Sequence, residues 1–306
     1  MPNLAVFIRE LTKEILSTSF NLFKLMIPII ILVKIIEELG GIKSIAMLLE
    51  PLMQLVGLPS SMGLVWASTM LTNIYGGMII FINMANPETL TVAQVTVLGS
   101  MMLIAHALPI EIRIIQKAGV RVVYVFLLRV LGALLLGFLL HKLYQTGDYL
   151  NYPSQALWNP NLAADDSLST WILNQLKTFA QVFVIIAILM TFLKILKLSG
   201  IENLIATALQ PLFRLIGLGK NSTSITIIGA LLGIIYGGGL LINEARSGNI
   251  SKTEVFGSLT LLALLHSIIE DTILILLLGA HISGALFARV LFALILTSIM
   301  IRIVKM

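Results

Sequence analysis

The sequence predicts an all-α, polytopic membrane protein made of two repeats, inverted relative to each other, with about 8–10 transmembrane helices and helices broken near the midplane. Three observations predict it. The 306 residues are 58% hydrophobic and only 11% charged, with a mean hydropathy of +1.01, whereas a water-soluble domain carries about 25% charged residues. A ladder of matched residues recurs at a spacing of 160. The Lys and Arg residues also separate into a rich side and a poor side only if the second half is turned over.

In chain order, residues 1–19 carry Arg9, Glu10, Lys13 and Glu14 where a secretory signal would need an apolar run. They read as an amphipathic helix lying at the membrane surface. Apolar windows follow near 20–36, 61–83, 92–112, 122–141, 178–196, 222–243, 255–278 and 285–301. Most are long enough to cross about 30 Å of hydrocarbon as a helix. Two shorter windows, 42–58 and 201–218, are each interrupted by a proline, Pro51 or Pro211. Each is a short span, a re-entrant segment or an interfacial helix.

"PLMQLVGL" at Pro51 matches "PLFRLIGL" at Pro211. "TNIYGG" at Thr72 matches "GIIYGG" at Gly233, one residue out of step. At the common spacing, Asn83 matches Asn243, His106 matches His266, Glu111 matches Asp271, Gly119 matches Gly279 and Arg129 matches Arg289. The division is therefore an N-terminal helix 1–19, a first repeat 20–144, a polar linker 145–170 without Lys or Arg, and a second repeat 171–306.

If 42–58 and 201–218 both cross, each half has five spans and the halves are inverted. Twelve Lys/Arg then lie on one side and six on the other, leaving out mid-span Arg129 and Arg289. If neither crosses, the halves are parallel and the count is nine against nine. The rule that cytoplasmic loops carry the cations favours inversion, with both termini inside and the linker outside. The expected location is a bacterial cytoplasmic (inner) membrane.

Candidate chemistry lies in two clusters. Paired glycines after Tyr75 and Tyr236 loosen a helix, or else let a neighbouring backbone come close. Asn73, Asn83 and Asn243 lie nearby. The second cluster sets a carboxylate five residues after a histidine in each half, His106 with Glu111 and His266 with Asp271, and adds Glu270. Ionisable groups inside a bilayer are costly and mark functional pathways by default. Asn73, Tyr75, Asn83, His106, Tyr236, Asn243, His266, Glu270 and Asp271 are thus expected to line a midplane substrate site. Arg129 and Arg289, deep in their spans, are expected to form buried ion pairs with Glu111 and Asp271, or else to meet a ring of backbone carbonyls. Purely structural pairing is the competing reading. A metal role is open, since imidazole and carboxylate suit divalent iron, zinc or manganese.

"GLPSSMGLVWASTMLTNIYGGMIIFIN", "SMMLIAHALPIEIRIIQKAGV" and their second-half counterparts resemble the nucleoside-recognition, or Gate, domain family. That family includes the bacterial spore maturation proteins A and B. Related Gate domains occur in concentrative nucleoside transporters and in ferrous-iron permeases. The resemblance covers nearly the whole chain as two fused Gate-like halves. It implies a secondary transporter of a small polar solute, nucleoside-like or other. The alternatives are a divalent metal-ion permease and a non-transporting membrane scaffold. The sequence holds no HExxH, GxSxG, Walker A or GxGxxG motif, so no enzyme and no cofactor are expected. With no cysteine, thiolate metal sites are excluded. Expected partners are a small-molecule or ion substrate, membrane lipid and a second copy of the chain, but no nucleic acid.

Overall fold

The computed structural model describes residues 4–84, 90–158, 167–247 and 250–305. Among these no strand forms, apart from one isolated bridge between Thr91 and Pro153. The helices of the first half are α1 (Leu4–Glu38), α2 (Gly41–Leu55), α3 (Met62–Leu71), α4 (Ile74–Met84), α5 (Val92–Ile104), α6 (Leu108–Lys117) and α7 (Val122–Gly147). Those of the second half are α8 (Leu168–Leu198), α9 (Ile201–Leu215), α10 (Lys220–Leu232), α11 (Ile234–Ser247), α12 (Lys252–Leu264), α13 (Ile268–Leu277) and α14 (Arg289–Lys305). A π-helical stretch, Ser283–Ala288, leads into α14.

Six stretches are long and apolar enough to cross a membrane: Val6–Ile36, Val92–Lys117, Val122–Gly147, Leu168–Leu198, Lys252–Leu277 and Ser283–Val304. This is a multi-pass, all-α membrane protein. Counting the broken pairs α3–α4 and α10–α11 as crossing units raises six to eight, and α2 with α9 makes ten. Lipid-facing surface is visible on α7. Leu131, Leu135 and Leu139 are exposed at four-residue steps, while Arg129, Gly132, Ala133, Leu136 and Leu140 turn inward. No water-soluble helix would leave such a stripe uncovered.

Two details differ from expectation. Pro51 and Pro211 do not break their segments, because α2 and α9 run through them. Residues 4–19 are not separated from the first span, since α1 continues unbroken from Leu4 to Glu38. Residues 1–3 of the expected surface helix and 159–166 of the linker lie outside the described residues.

Local structure recurs with the sequence ladder. α2 and α9, α5 and α12, and α6 and α13 each begin and end 160 residues apart. Thr91 and Ser251 start α5 and α12 with the same reciprocal cap, in which the third helical residue, Gln94 or Glu254, bonds back to the cap backbone. Contacts give the relative direction. The backbone N–H of His281 donates to Thr96 Oγ1 at 2.7 Å, near the start of α5 and beyond the end of α13. Tyr124 Oη lies 3.0 Å from Thr260 Oγ1, joining the start of α7 to α12. Tyr144 Oη lies 2.7 Å from Ser283 Oγ, joining the end of α7 to the stretch before α14. The broken span α5–α6 therefore runs antiparallel to α12–α13, and α7 antiparallel to α14.

The described part of the linker crosses the end of the bundle where α5 begins and α13 finishes. Ser154 Oγ donates to Gly279 O at 3.2 Å, and Trp158 N–H donates to Leu277 O at 3.2 Å. Glycines set the closest helix approaches. A Cβ on Gly77 would sit 1.8 Å from Thr69 Oγ1, and one on Gly237 would sit 2.3 Å from the Gly229 Cα. The Tyr-Gly-Gly segments thus serve close packing of α4 on α3 and α11 on α10. The helix breaks fall just before them, at Thr72–Asn73 and Gly233.

Candidate functional site

The site begins with two helix interruptions. α5 is 13 residues long and α6 is 10, and α12 and α13 repeat those lengths. At 1.5 Å per residue, each break lies about 20 Å from one end of its span and about 15 Å from the other. In both breaks the residue after the histidine is left-handed, Ala107 at φ 46° and Ser267 at φ 46°. A residue with a Cβ is held there at a cost of about 1 kcal/mol or more. Pro109 belongs to the first turn of α6, where its missing N–H is harmless.

A break inside a membrane frees carbonyls that must find partners within the protein. The cluster's own side chains supply them. His106 Nδ1 lies 3.1 Å from Met102 O, and His266 Nδ1 lies 2.7 Å from Leu262 O. Arg129 Nε donates to Ile104 O at 2.7 Å. Arg289 donates to Leu264 O at 3.2 Å and to His266 O at 2.9 Å.

These bonds orient the rings. A carbonyl only accepts, so each Nδ1 carries a proton, and each neutral ring then presents an unprotonated Nε2. The two Nε2 atoms face each other at 3.0 Å. Glu111 Oε1 lies 3.3 Å from His106 Nε2 and 3.2 Å from His266 Nε2. Asp271 Oδ2 lies 3.7 Å from His106 Nε2 and has no hydrogen-bond partner. Four lone-pair atoms thus converge in a buried centre, an arrangement that repels itself without a cation, whether proton or metal. The donor atoms of His106, His266 and Asp271 all lie within 4.8 Å of one another.

The two halves are not used identically. Arg129 forms a buried ion pair with Glu111 Oε2, as expected. Arg289 bonds carbonyls instead, and among the described residues no Arg289–Asp271 bridge forms. The expected pair is absent because the second break leaves two carbonyls in reach of Arg289, while Asp271 turns toward the histidines.

The other expected site residues divide. Tyr75 Oη donates to Glu270 Oε1 at 3.2 Å, joining α4 to the first turn of α13. Asn73 Oδ1 accepts from Gly76 N–H at 2.9 Å and starts α4 after the break. Asn83 is exposed and bonds Ile79 O of its own helix, and Asn243 is exposed on α11; neither reaches the histidines. Tyr236 lies on α11, but its side chain is outside the described residues. Sequence reasoning missed the direct contact between the histidines, for which the matched His positions were the available signal.

A cavity of about 400 Å³ is lined by Glu14, Lys194, Lys197 and Glu270, the neighbour of Asp271, while the two histidines do not line it. Lys194 Nζ lies 2.9 Å from Glu14 Oε2 at its rim.

Fold and site together define a multi-pass all-α membrane protein with a buried histidine–carboxylate–arginine centre at two antiparallel helix breaks. In sequence the chain is similar to YvoD of Bacillus subtilis (strain 168), described as an uncharacterised membrane protein. It is 24% identical over 288 residues, covering 92% of this chain and 89% of that protein. No family model matches the chain, and no solved structure matches it.

Proposed function

We propose that this protein is a secondary transporter that moves a small polar solute together with, or in exchange for, a cation. The observation that carries the reading is the 3.0 Å approach of His106 Nε2 to His266 Nε2, one from each half, at the meeting of two antiparallel broken spans. Inverted repeats with sites at broken helices are a recurring plan of secondary transporters. A scaffold has no need of a self-repelling set of lone pairs in its interior. The resemblance to Gate domains favours a nucleoside-like solute. The end of the bundle that holds Glu14, Lys194 and Lys197 belongs to the side richer in Lys and Arg, which supports reading it as the cytoplasmic face.

The test uses purified protein in liposomes enclosing a pH-sensitive dye. Gradients of nucleosides and other small polar solutes are imposed in turn. The expected result is proton movement driven by at least one solute in the wild type, lost in Asp271→Asn with folding retained. Absence of any driven flux from folded wild-type protein would place the scaffold reading ahead.

A further inference from the structure

We propose that the centre between the two helix breaks is a divalent transition-metal site, with His106 Nε2, His266 Nε2, Glu111 Oε1 and Asp271 Oδ2 as ligands. Metal binding there does not depend on the transporter reading.

The geometry carries the metal. Zinc-class ions bind imidazole nitrogen and carboxylate oxygen at about 2.0–2.2 Å. Two such ligands at a tetrahedral angle sit about 3.3–3.6 Å apart. The three edges defined by His106 Nε2, His266 Nε2 and Glu111 Oε1 measure 3.0, 3.3 and 3.2 Å. That is one face of a coordination tetrahedron, closed by a few tenths of an ångström. Asp271 Oδ2, 3.7 Å from His106 Nε2 and in a residue whose donor atom lies within 4.8 Å of those of both histidines, is the remaining carboxylate oxygen near that face. The supporting shell is the one metal-binding histidines use, with each Nδ1–H on a carbonyl that fixes ring and tautomer. Arg129 performs the same service for Glu111 by holding Oε2, which leaves Oε1 for the ion. A proton between the nitrogens would account for the histidines, but it leaves Asp271 Oδ2, buried and without a hydrogen bond, unexplained.

Cobalt(II) is the probe, because a four-coordinate nitrogen–oxygen site gives it visible absorption bands. Purified full-length protein in detergent should develop these bands, saturate at one ion per chain and lose them to added zinc. His106→Ala and His266→Ala should each abolish the bands, while His281→Ala, which alters a histidine at the linker end, should keep them. Circular dichroism and size-exclusion profiles establish that each variant is folded. Folded wild-type protein without cobalt bands overturns the proposal, as do bands that survive in the double variant His106→Ala/His266→Ala. Cobalt binding without flux in the liposome assay would refute the transporter and leave the metal site standing. Solute-driven proton flux without cobalt binding would do the reverse.

Discussion

Replacing Arg129 by methionine keeps most of the side chain's volume and removes its charge. Two interactions vanish: the buried pair with Glu111 and the 2.7 Å bond to Ile104 O. Removing one partner of a buried ion pair costs about 3–5 kcal/mol, because the remaining charge is left uncompensated. A single hydrogen bond between transmembrane helices is worth about 0.6 kcal/mol. Arg129→Met should therefore destabilise by about 4 kcal/mol. Arg289→Met loses two bonds to carbonyls and no carboxylate bridge, so about 1–2 kcal/mol is expected. The assay is reversible unfolding in mixed micelles by titration with sodium dodecyl sulfate, followed by circular dichroism. Two double-mutant cycles sharpen it. Arg129→Met with Glu111→Gln should show coupling of at least about 2 kcal/mol, and Arg289→Met with Asp271→Asn less than about 1 kcal/mol. Equal coupling in the two halves would refute the assignment of different partners to the two arginines.

Exchanging the charges, Arg129→Glu with Glu111→Arg, should recover more folded protein than either single change, measured as the monodisperse fraction after extraction. The protein has no cysteine, so single introduced ones report topology directly. Cysteine at Tyr152 should react with an impermeant maleimide from outside the cell, and cysteine at Lys252 only after permeabilisation; the opposite pattern would invert the orientation. Gly77→Leu and Gly237→Leu drive side chains into Thr69 and the Gly229 backbone, and should lower stability by about 1–3 kcal/mol or more. Gly239→Ala, with nothing within 4 Å of the added carbon, should be close to neutral in the same unfolding assay. Glu14→Gln breaks a partly exposed ion pair with Lys194 and should cost less than about 1 kcal/mol.

By itself the sequence determined the class of protein. A chain that is 58% apolar and 11% charged cannot cover itself in water, and its long apolar windows can only satisfy their backbones as helices in a membrane. It also determined which residues correspond, because matched His, carboxylate and Arg positions 160 apart survive as a pattern along the chain. It did not determine which of them touch. A spacing of 160 says that His106 and His266 are equivalent, not that their Nε2 atoms lie 3.0 Å apart. That distance follows from two helix breaks meeting in antiparallel spans and from α4 and α11 seating closely at Gly77 and Gly237. The prolines misled for a related reason. Pro51 and Pro211 lie where α2 and α9 tolerate them, whereas the two breaks at the site, Ala107 and Ser267, carry no residue type that favours a left-handed turn. Those turns hold because His106, His266, Arg129 and Arg289 reach the freed carbonyls from neighbouring turns and helices. Only the tertiary structure brings those partners within reach. It also splits the equivalent arginines, giving Arg129 a carboxylate and Arg289 two carbonyls, and leaves Asp271 turned toward the histidines.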